Sequence, residues 1–260
     1  SQYLSSLLLC TPLAEKNSRI DVTVLNEPGY VQMTLDWLDK QNIQYENDAF
    51  NCFTVKGGQS YRAFEESIPA DFSSATFFLC AAALVAEKVT LLGLDLSDSQ
   101  PDKAVLEYLK SMGADIDIRE NSVTVRAAPL KGVEIDMNRT PDALPAMAVT
   151  AAFAEGTTEL LNVPQARSKE TDRLSAMACE LRKIGAEVEE LPDGLIIRPG
   201  RPQPAEFNGW GDHRIVMALA VAAMAIEGTS SIDTAEAMNV TFPNYAELMG
   251  NLGAEIETVE

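Results

Sequence analysis

Histidine is almost missing from this chain: His213 is the only one in 260 residues. Metal centres built on several imidazoles are therefore excluded. The four cysteines, Cys10, Cys52, Cys80 and Cys179, lie 42, 28 and 99 residues apart, which fits neither a zinc site nor a dense disulfide framework. Three of them sit in apolar runs and read as buried free thiols, so a reducing compartment, the cytoplasm, is expected. Cations are scarce as well. Twenty Lys+Arg stand against 39 Asp+Glu, a net charge of −19. A surface this acidic repels polyphosphate backbones and excludes general nucleic-acid binding. Any anion must be held by a few local cations or by helix N-termini. No uninterrupted apolar run is long enough to span a membrane, and residues 1–20 do not read as a signal peptide. No GxGxxG, Walker loop, GxSxG or metal-ligand cluster is present, and Gly57-Gly58-Gln59 is a turn signal.

What remains is ordinary globular composition, 46% hydrophobic and 23% charged, with length for one or two domains. Four-fold internal similarity organises it. YLKSMGADIDI (108–118) returns as ELRKIGAEVEE (180–190) and ELMGNLGAEIE (247–257), with a worn copy, WLDKQNIQYEN, at 37–47. Aligning Asn42, Gly113, Gly185 and Gly253 gives offsets of 71, 72 and 68 residues. A second marker, Glu15, Glu87, Glu155 and Glu227 at the end of an apolar run, repeats at 72, 68 and 72. Two independent markers sharing one period show a repeat architecture.

Each copy reads as an apolar helix of 12 to 15 residues, a short strand, an amphipathic helix stopped by glycine, and two strands joined by a turn. Phased one strand earlier, this is βαβαββ. The first helix of each copy is apolar almost all round, the mark of burial, whereas strands such as Ile116-Asp117-Ile118 alternate and have a wet face. The expected fold is therefore α/β, with repeated βαβαββ units forming inside-out lobes, helices inside and sheets outside. Parallel buried helices gather their N-termini, and the partial positive charge there favours an anion.

Counting 13 residues back from each marker glutamate finds those N-termini at Gln2, Ser74, Asp142 and Arg214. Asp142 lies in NRTPDALPAM and Arg214 in GWGDHRIV. A lone histidine is usually structural, but His213 adjoins Arg214 at a helix start that Asp212 can cap. Asp142 reads either as a plain N-cap or as a functional carboxylate, and Arg139 as solvated or functional. The run Arg167-Ser168-Lys169-Glu170-Thr171-Asp172-Arg173-Leu174 is expected to open the amphipathic helix of the third copy, capped by Ser168 or Thr171, with Lys169 and Arg173 on one face. Two cations there oppose the helix dipole unless an anion binds between them. The residues by themselves point to a small polyanion and to acid/base chemistry on it.

The motifs VKGGQSY (55–61), DFSSATFFL (71–79), NRTPDA (138–143), RSKETDRL (167–174), GDHR (211–214) and TFPNY (241–245), with Ser1-Gln2-Tyr3, resemble the enolpyruvyl transferases along the whole chain, most closely the branch acting on shikimate 3-phosphate. The resemblance implies two lobes of three such units with the active site between them. Residues 1–70 are then the last unit of the first lobe. Residues 71–260 are the second lobe, lacking its N-terminal strands. A chain that opens inside a helix fits the expectation of a C-terminal part, inactive alone and monomeric at full length. The implied reaction moves the carboxyvinyl group of phosphoenolpyruvate to a hydroxyl of shikimate 3-phosphate on the way to aromatic amino acids, with no metal or organic cofactor.

The implied roles are these. Ser1, Gln2, Tyr30, Asp142, Gln165 and Lys169 bind shikimate 3-phosphate. Arg173, Arg214 and Glu170 meet phosphoenolpyruvate. Asp142, Glu170 and His213 form the catalytic set, Asp142 as base and Glu170 in proton transfer at the methylene. Two departures stand out: no serine precedes Tyr30 in Asn26-Glu27-Pro28-Gly29-Tyr30, and Val240 replaces a lysine often found before TFP. Two rival readings are a UDP-N-acetylglucosamine enolpyruvyl transferase, whose pattern lacks the KETDRL and GDHR pairing, and a non-catalytic binding module built from the same repeat.

Overall fold

The computed structural model describes residues 1–259. The chain forms two compact units. One comprises Ser1–Pro69 with Leu96–Pro101, the other 70–95 with 102–259.

In the first unit, α1 (Gln2–Cys10), β1 (Ser18–Asp21), α2 (Pro28–Lys40), β2 (Tyr45–Asp48) and β3 (Cys52–Val55) follow in order. The strands pair antiparallel as β1-β3-β2, with Ile20 opposite Phe53. Val31, Leu35 and Leu38 form the i, i+4, i+7 stripe of α2, and with Leu4, Leu8, Phe53 and Val55 they make the core. The expectation that the first helix of every copy is buried on all faces fails for α1. Only Leu4 and Leu8 are buried, Leu7 and Leu9 are exposed, and Tyr3 is 90% exposed.

The second unit continues with α3 (Phe72–Val85), β4 (Val89–Leu92), α4 (Val105–Ser111), β5 (Asp115–Arg119) and β6 (Ser122–Arg126). Next come β7 (Glu134–Asp136), α5 (Leu144–Ala152), β8 (Thr158–Leu161), α6 (Arg173–Lys183), β9 (Glu187–Leu191) and β10 (Gly194–Arg198). It ends with β11 (Glu206–Phe207), α7 (His213–Met224), β12 (Ser231–Ile232) and α8 (Tyr245–Asn251). The third copy is a complete βαβαββ unit. Its β7 runs parallel to β8, and β10 is antiparallel to β8 and β9, giving the order β7-β8-β10-β9. In the fourth copy β11 pairs parallel with β12, and no strand forms in 254–259.

Helices α3, α5 and α7 pack on one another, and the sheets lie against them from outside. All nine residues of α5 are buried, and burying a side chain such as Leu144, Met147 or Val149 contributes about 1.5–3 kcal/mol. Alanines at 82, 83, 148, 151, 218 and 222 let the backbones approach. Helix α5 is shorter than expected because Pro141 and Pro145 bracket a 3-10 turn, Pro141–Ala143, before the α-helix begins. Phe78, Phe242 and Tyr245 stack edge to face, and the Tyr245 hydroxyl donates to the Met217 carbonyl (3.1 Å), fastening α8 to α3 and α7.

The repeat is visible atom by atom at the helix stops. Asn42, Gly113, Gly185 and Gly253 all have positive φ (57°, 97°, 92° and 104°). The next N–H in each copy bonds five residues back: Ile43 to Leu38, Ala114 to Leu109, Ala186 to Leu181 and Ala254 to Met249. That is the Schellman stop, four times over.

The cysteine reading is corrected in part. All four thiols are free, but only Cys80 is buried, while Cys10 and Cys179 are exposed. Each sits on a helix whose apolar run does not reach right round, so its position faces out. Burial pushes the Cys80 thiol up to about 12. Among the described residues, no helix is long and apolar enough to cross a membrane.

Candidate functional site

The second unit brings five of the expected residues into one ion network. Asp142 lies in the 3-10 turn that leads into α5. Its Oδ1 accepts from Arg173 Nη1 (2.8 Å) and lies 3.4 Å from Lys169 Nζ. Its Oδ2 is 3.5 Å from Arg214 Nη2, and Arg214 Nη1 donates to the Asp142 carbonyl (3.3 Å). Residues 72 apart in sequence therefore meet at the shared N-terminal end of α5 and α7.

Arg173 is the centre of the network. Its side chain is 1% exposed. Its Nε donates to Asp212 Oδ2 (2.8 Å), its Nη2 to Glu170 Oε2 (2.6 Å), and its Nη2 also to Asp212 Oδ1 (3.2 Å). Asp212, fully buried, caps α7 by accepting from the Arg214 N–H (2.8 Å). Asp212 entered the sequence reading only as a cap. Its partnership with an arginine 39 residues away carries no local signal.

Two expectations about the run before α6 are corrected. Helix α6 begins at Arg173, not near Ser168, and its N-cap is Asp172, whose carboxylate accepts from the Ser175 N–H (3.1 Å). A carboxylate there satisfies an orphan donor and also meets the helix dipole. Pro164–Ser168 form a 3-10 turn and Lys169 is extended (φ −91°, ψ −154°), so Lys169 and Arg173 do not share a helix face. Nor does the cation at the helix start wait for an outside anion: Asp142, Glu170 and Asp212 surround it. Three cations (Lys169, Arg173, Arg214) and three carboxylates balance to zero.

Burial works to raise the Asp142 carboxyl, but Arg214, Lys169 and Arg173 outweigh it and hold the group below the usual carboxylate range. Burial, followed by the charge of Arg214, pushes His213 below its ordinary value, so the imidazole is neutral at neutral pH. His213 is itself buried beside Asp212, 3.9 Å away. Glu170 is the loosest member, with its side chain 50% exposed.

Gln165 makes none of these ion pairs. Its Nε2 donates to the Asn138 carbonyl (2.9 Å), and its Oε1 is buried without a hydrogen-bond partner in the structure. Arg139 lines a separate cleft of about 510 Å³ with Tyr108, Asp136 and Asn138. Ser1, Gln2 and Tyr30 belong to the first unit. There the Ser1 hydroxyl donates to Glu27 Oε2 (3.0 Å), Gln2 is exposed and Tyr30 is half-buried in the first turn of α2.

A protein-family model described as EPSP synthase (3-phosphoshikimate 1-carboxyvinyltransferase) matches residues 1–249. The chain is 54% identical over 259 residues to the 3-phosphoshikimate 1-carboxyvinyltransferase of Ruminiclostridium cellulolyticum, covering 100% of this chain and 61% of that protein. To the enzyme of the same name from Acetivibrio thermocellus it is 52% identical over 260 residues, covering 100% and 62%. Among solved structures, EPSP synthase from Acinetobacter baumannii superposes with a TM-score of 0.85 at 26% identity, covering 100% of this chain and 62% of that one. The enolpyruvyl transferase NikO from Streptomyces tendae shares the fold, with a TM-score of 0.76 at 21% identity over 96% of this chain and 58% of that one. The chain spans about three fifths of the length of the curated relatives it matches.

Proposed function

Because this chain belongs to the EPSP synthase family, we propose that it supplies the phosphoenolpyruvate-facing half of an enzyme that transfers a carboxyvinyl group to shikimate 3-phosphate and releases phosphate. The observation that carries the reading is the convergence of Lys169, Arg173 and Arg214 on Asp142 at the start of α5 and α7. The family match favours this over a UDP-N-acetylglucosamine enolpyruvyl transferase.

In the proposal, phosphoenolpyruvate takes Arg214 and Arg173, and shikimate 3-phosphate takes Lys169 and Gln165. Arg173 must release one carboxylate to do so. Glu170 is the one to leave, since it is half exposed and each charge-assisted bond is worth about 1.5–3 kcal/mol to a well-placed competitor. Glu170 is then free to exchange a proton with the methylene carbon. As it stands, Asp142 is a weak base, because three cations hold its proton affinity down. An arriving anion that shares Arg214 and Lys169 screens them, raising that affinity where the substrate hydroxyl must lose its proton. The accepting hydroxyl adds to C2 of phosphoenolpyruvate as its proton passes to Asp142 and the methylene carbon takes a proton from Glu170; the tetrahedral adduct then loses phosphate and a proton from that carbon, which restores the double bond.

Titration calorimetry of shikimate 3-phosphate, with and without phosphoenolpyruvate, tests binding to this chain. Phosphate release in a chain extended to its relatives' length tests turnover. The 260-residue chain is expected to bind weakly and not turn over. Light scattering on the extended protein tests the monomeric state. Shikimate 3-phosphate failing to promote phosphate release from phosphoenolpyruvate in the extended protein would refute the reading.

A further inference from the structure

We infer that Glu180 is a positioning residue of the anion site, acting through the turn that launches α7. It lies on α6 seven residues after Arg173, two helical turns further and on the same face, a rise of about 10 Å. Its carboxylate is fully buried. Oε2 accepts from the Asn208 N–H (3.0 Å) and from Lys183 Nζ (2.7 Å), and Oε1 accepts from the Trp210 indole N–H (3.1 Å). One face of α6 thus holds the turn at both ends: Glu180 takes its N–H donors at 208 and 210, and Arg173 takes the Asp212 carboxylate where α7 begins.

The turn needs such a grip. Trp210 (φ 57°) and Gly211 (φ 62°) are consecutive left-handed residues, and a bulky side chain there is a conformation the backbone does not choose unaided. The far side of the turn is strapped by Asp233, which accepts from the Gly209 N–H (2.8 Å), and by Thr234, which accepts from the Gly211 N–H (3.1 Å). A Cβ at Gly209 would come within 2.5 Å of the Asp233 carbonyl, so the turn has no slack on that side. Its exit residues are Asp212, His213 and Arg214. A shift at 208–211 therefore carries Arg214 away from Asp142, which now sits 3.5 Å from it. Glu180 touches none of the groups proposed to meet substrate, and what it governs is the placement of the cation that does.

This inference rests on the proposed reading of the Asp142–Arg173–Arg214 cluster as an anion site, and its test separates the two. The chain has two tryptophans, so Trp37→Phe leaves Trp210 as the only indole reporter. In that background Glu180→Gln, which keeps the volume but turns one acceptor into a donor, is expected to red-shift Trp210 emission and increase its quenching by acrylamide. It is also expected to weaken phosphoenolpyruvate and inorganic phosphate binding roughly tenfold, about the loss of one charge-assisted bond. Lys183→Ala, which removes a half-buried partner but leaves the Asn208 and Trp210 donors of Glu180 in place, should change neither. Trp210→Phe added to Glu180→Gln should weaken binding by less than the two single effects combined. Unchanged Trp210 emission in Glu180→Gln, or a changed emission with unaltered anion affinity, overturns the inference. If Glu180→Ala does not fold, the isosteric glutamine variant decides. Arg214→Ala binding both anions as well as the parent would overturn the site reading, while Trp210 emission still reports on the grip.

Discussion

Replacing Arg173 by methionine removes the centre of the network while keeping an unbranched apolar stem in place of its methylenes. Arg173 donates four hydrogen bonds to three carboxylates. Their exposures decide the cost. Glu170, half exposed, turns to water at little expense. Asp142 keeps Lys169 and Arg214. Asp212 is fully buried and retains the Arg214 N–H at 2.8 Å, with the neutral His213 at 3.9 Å. An uncompensated buried charge costs about 3–5 kcal/mol. With a urea slope of about 2 kcal/mol per M, the midpoint should fall by about 1.5–2.5 M. Arg126→Ala, which breaks an exposed pair with Asp115, is the comparison and should cost less than about 1 kcal/mol. Urea unfolding followed by far-UV circular dichroism measures both. Asp212→Asn in the Arg173→Met background should restore part of the loss, because it removes the stranded charge. If Arg173→Met lowers the midpoint no more than Arg126→Ala does, the claim that Arg173 neutralises a buried carboxylate is wrong.

The depressed His213 sets a pH dependence. Its folded value lies below the unfolded value of about 6.5, so the unfolded chain binds its proton first. The associated stability is present above about pH 6.5 and is lost as pH falls through the folded value. His213→Gln should flatten that limb of the stability profile, and an unchanged slope would contradict the burial argument. Asp142 acts further down, since its depressed value gives stability that is present above about pH 4 and lost in acid. In the extended protein, Arg214→Ala should weaken phosphoenolpyruvate binding and turnover together, whereas Asp142→Asn and Glu170→Gln should mainly lower turnover. Steady-state kinetics resolve the two patterns, and Asp142→Asn raising KM alone would remove it from the chemistry. Gly185→Ala should cost well over 1 kcal/mol, because the new methyl meets the Arg201 carbonyl at 2.5 Å in a left-handed backbone. Gly253→Ala, equally left-handed but with open space around it, should cost only about 1 kcal/mol, and thermal unfolding of the pair checks the difference.

What the sequence determined by itself is what local chemistry encodes. The glycine stops at 113, 185 and 253 are legible because a left-handed helix stop is a property of one residue and its neighbours, and Asn42 fills the same place because asparagine tolerates that conformation. The buried helices are legible because an apolar run with no polar face has only one place to go, and the repeat by itself makes Asp142 and Arg214 equivalent. Tertiary structure decided the rest. The expected single helix through 168–174 breaks at Asp172 because that carboxylate finds the Ser175 N–H, and Lys169 is left extended. Tyr3, Leu7 and Leu9 show that an apolar helix is buried only where neighbours cover each face. Arg173 reads as a cation awaiting a ligand, yet Asp212, Asp142 and Glu170 already neutralise it. Glu180 carries no local signal of its own, yet it is buried under Asn208 and Trp210. Charge balance in a buried network depends on which residues meet across 30 to 72 positions of chain, and pairings at that separation leave no periodic trace in the sequence.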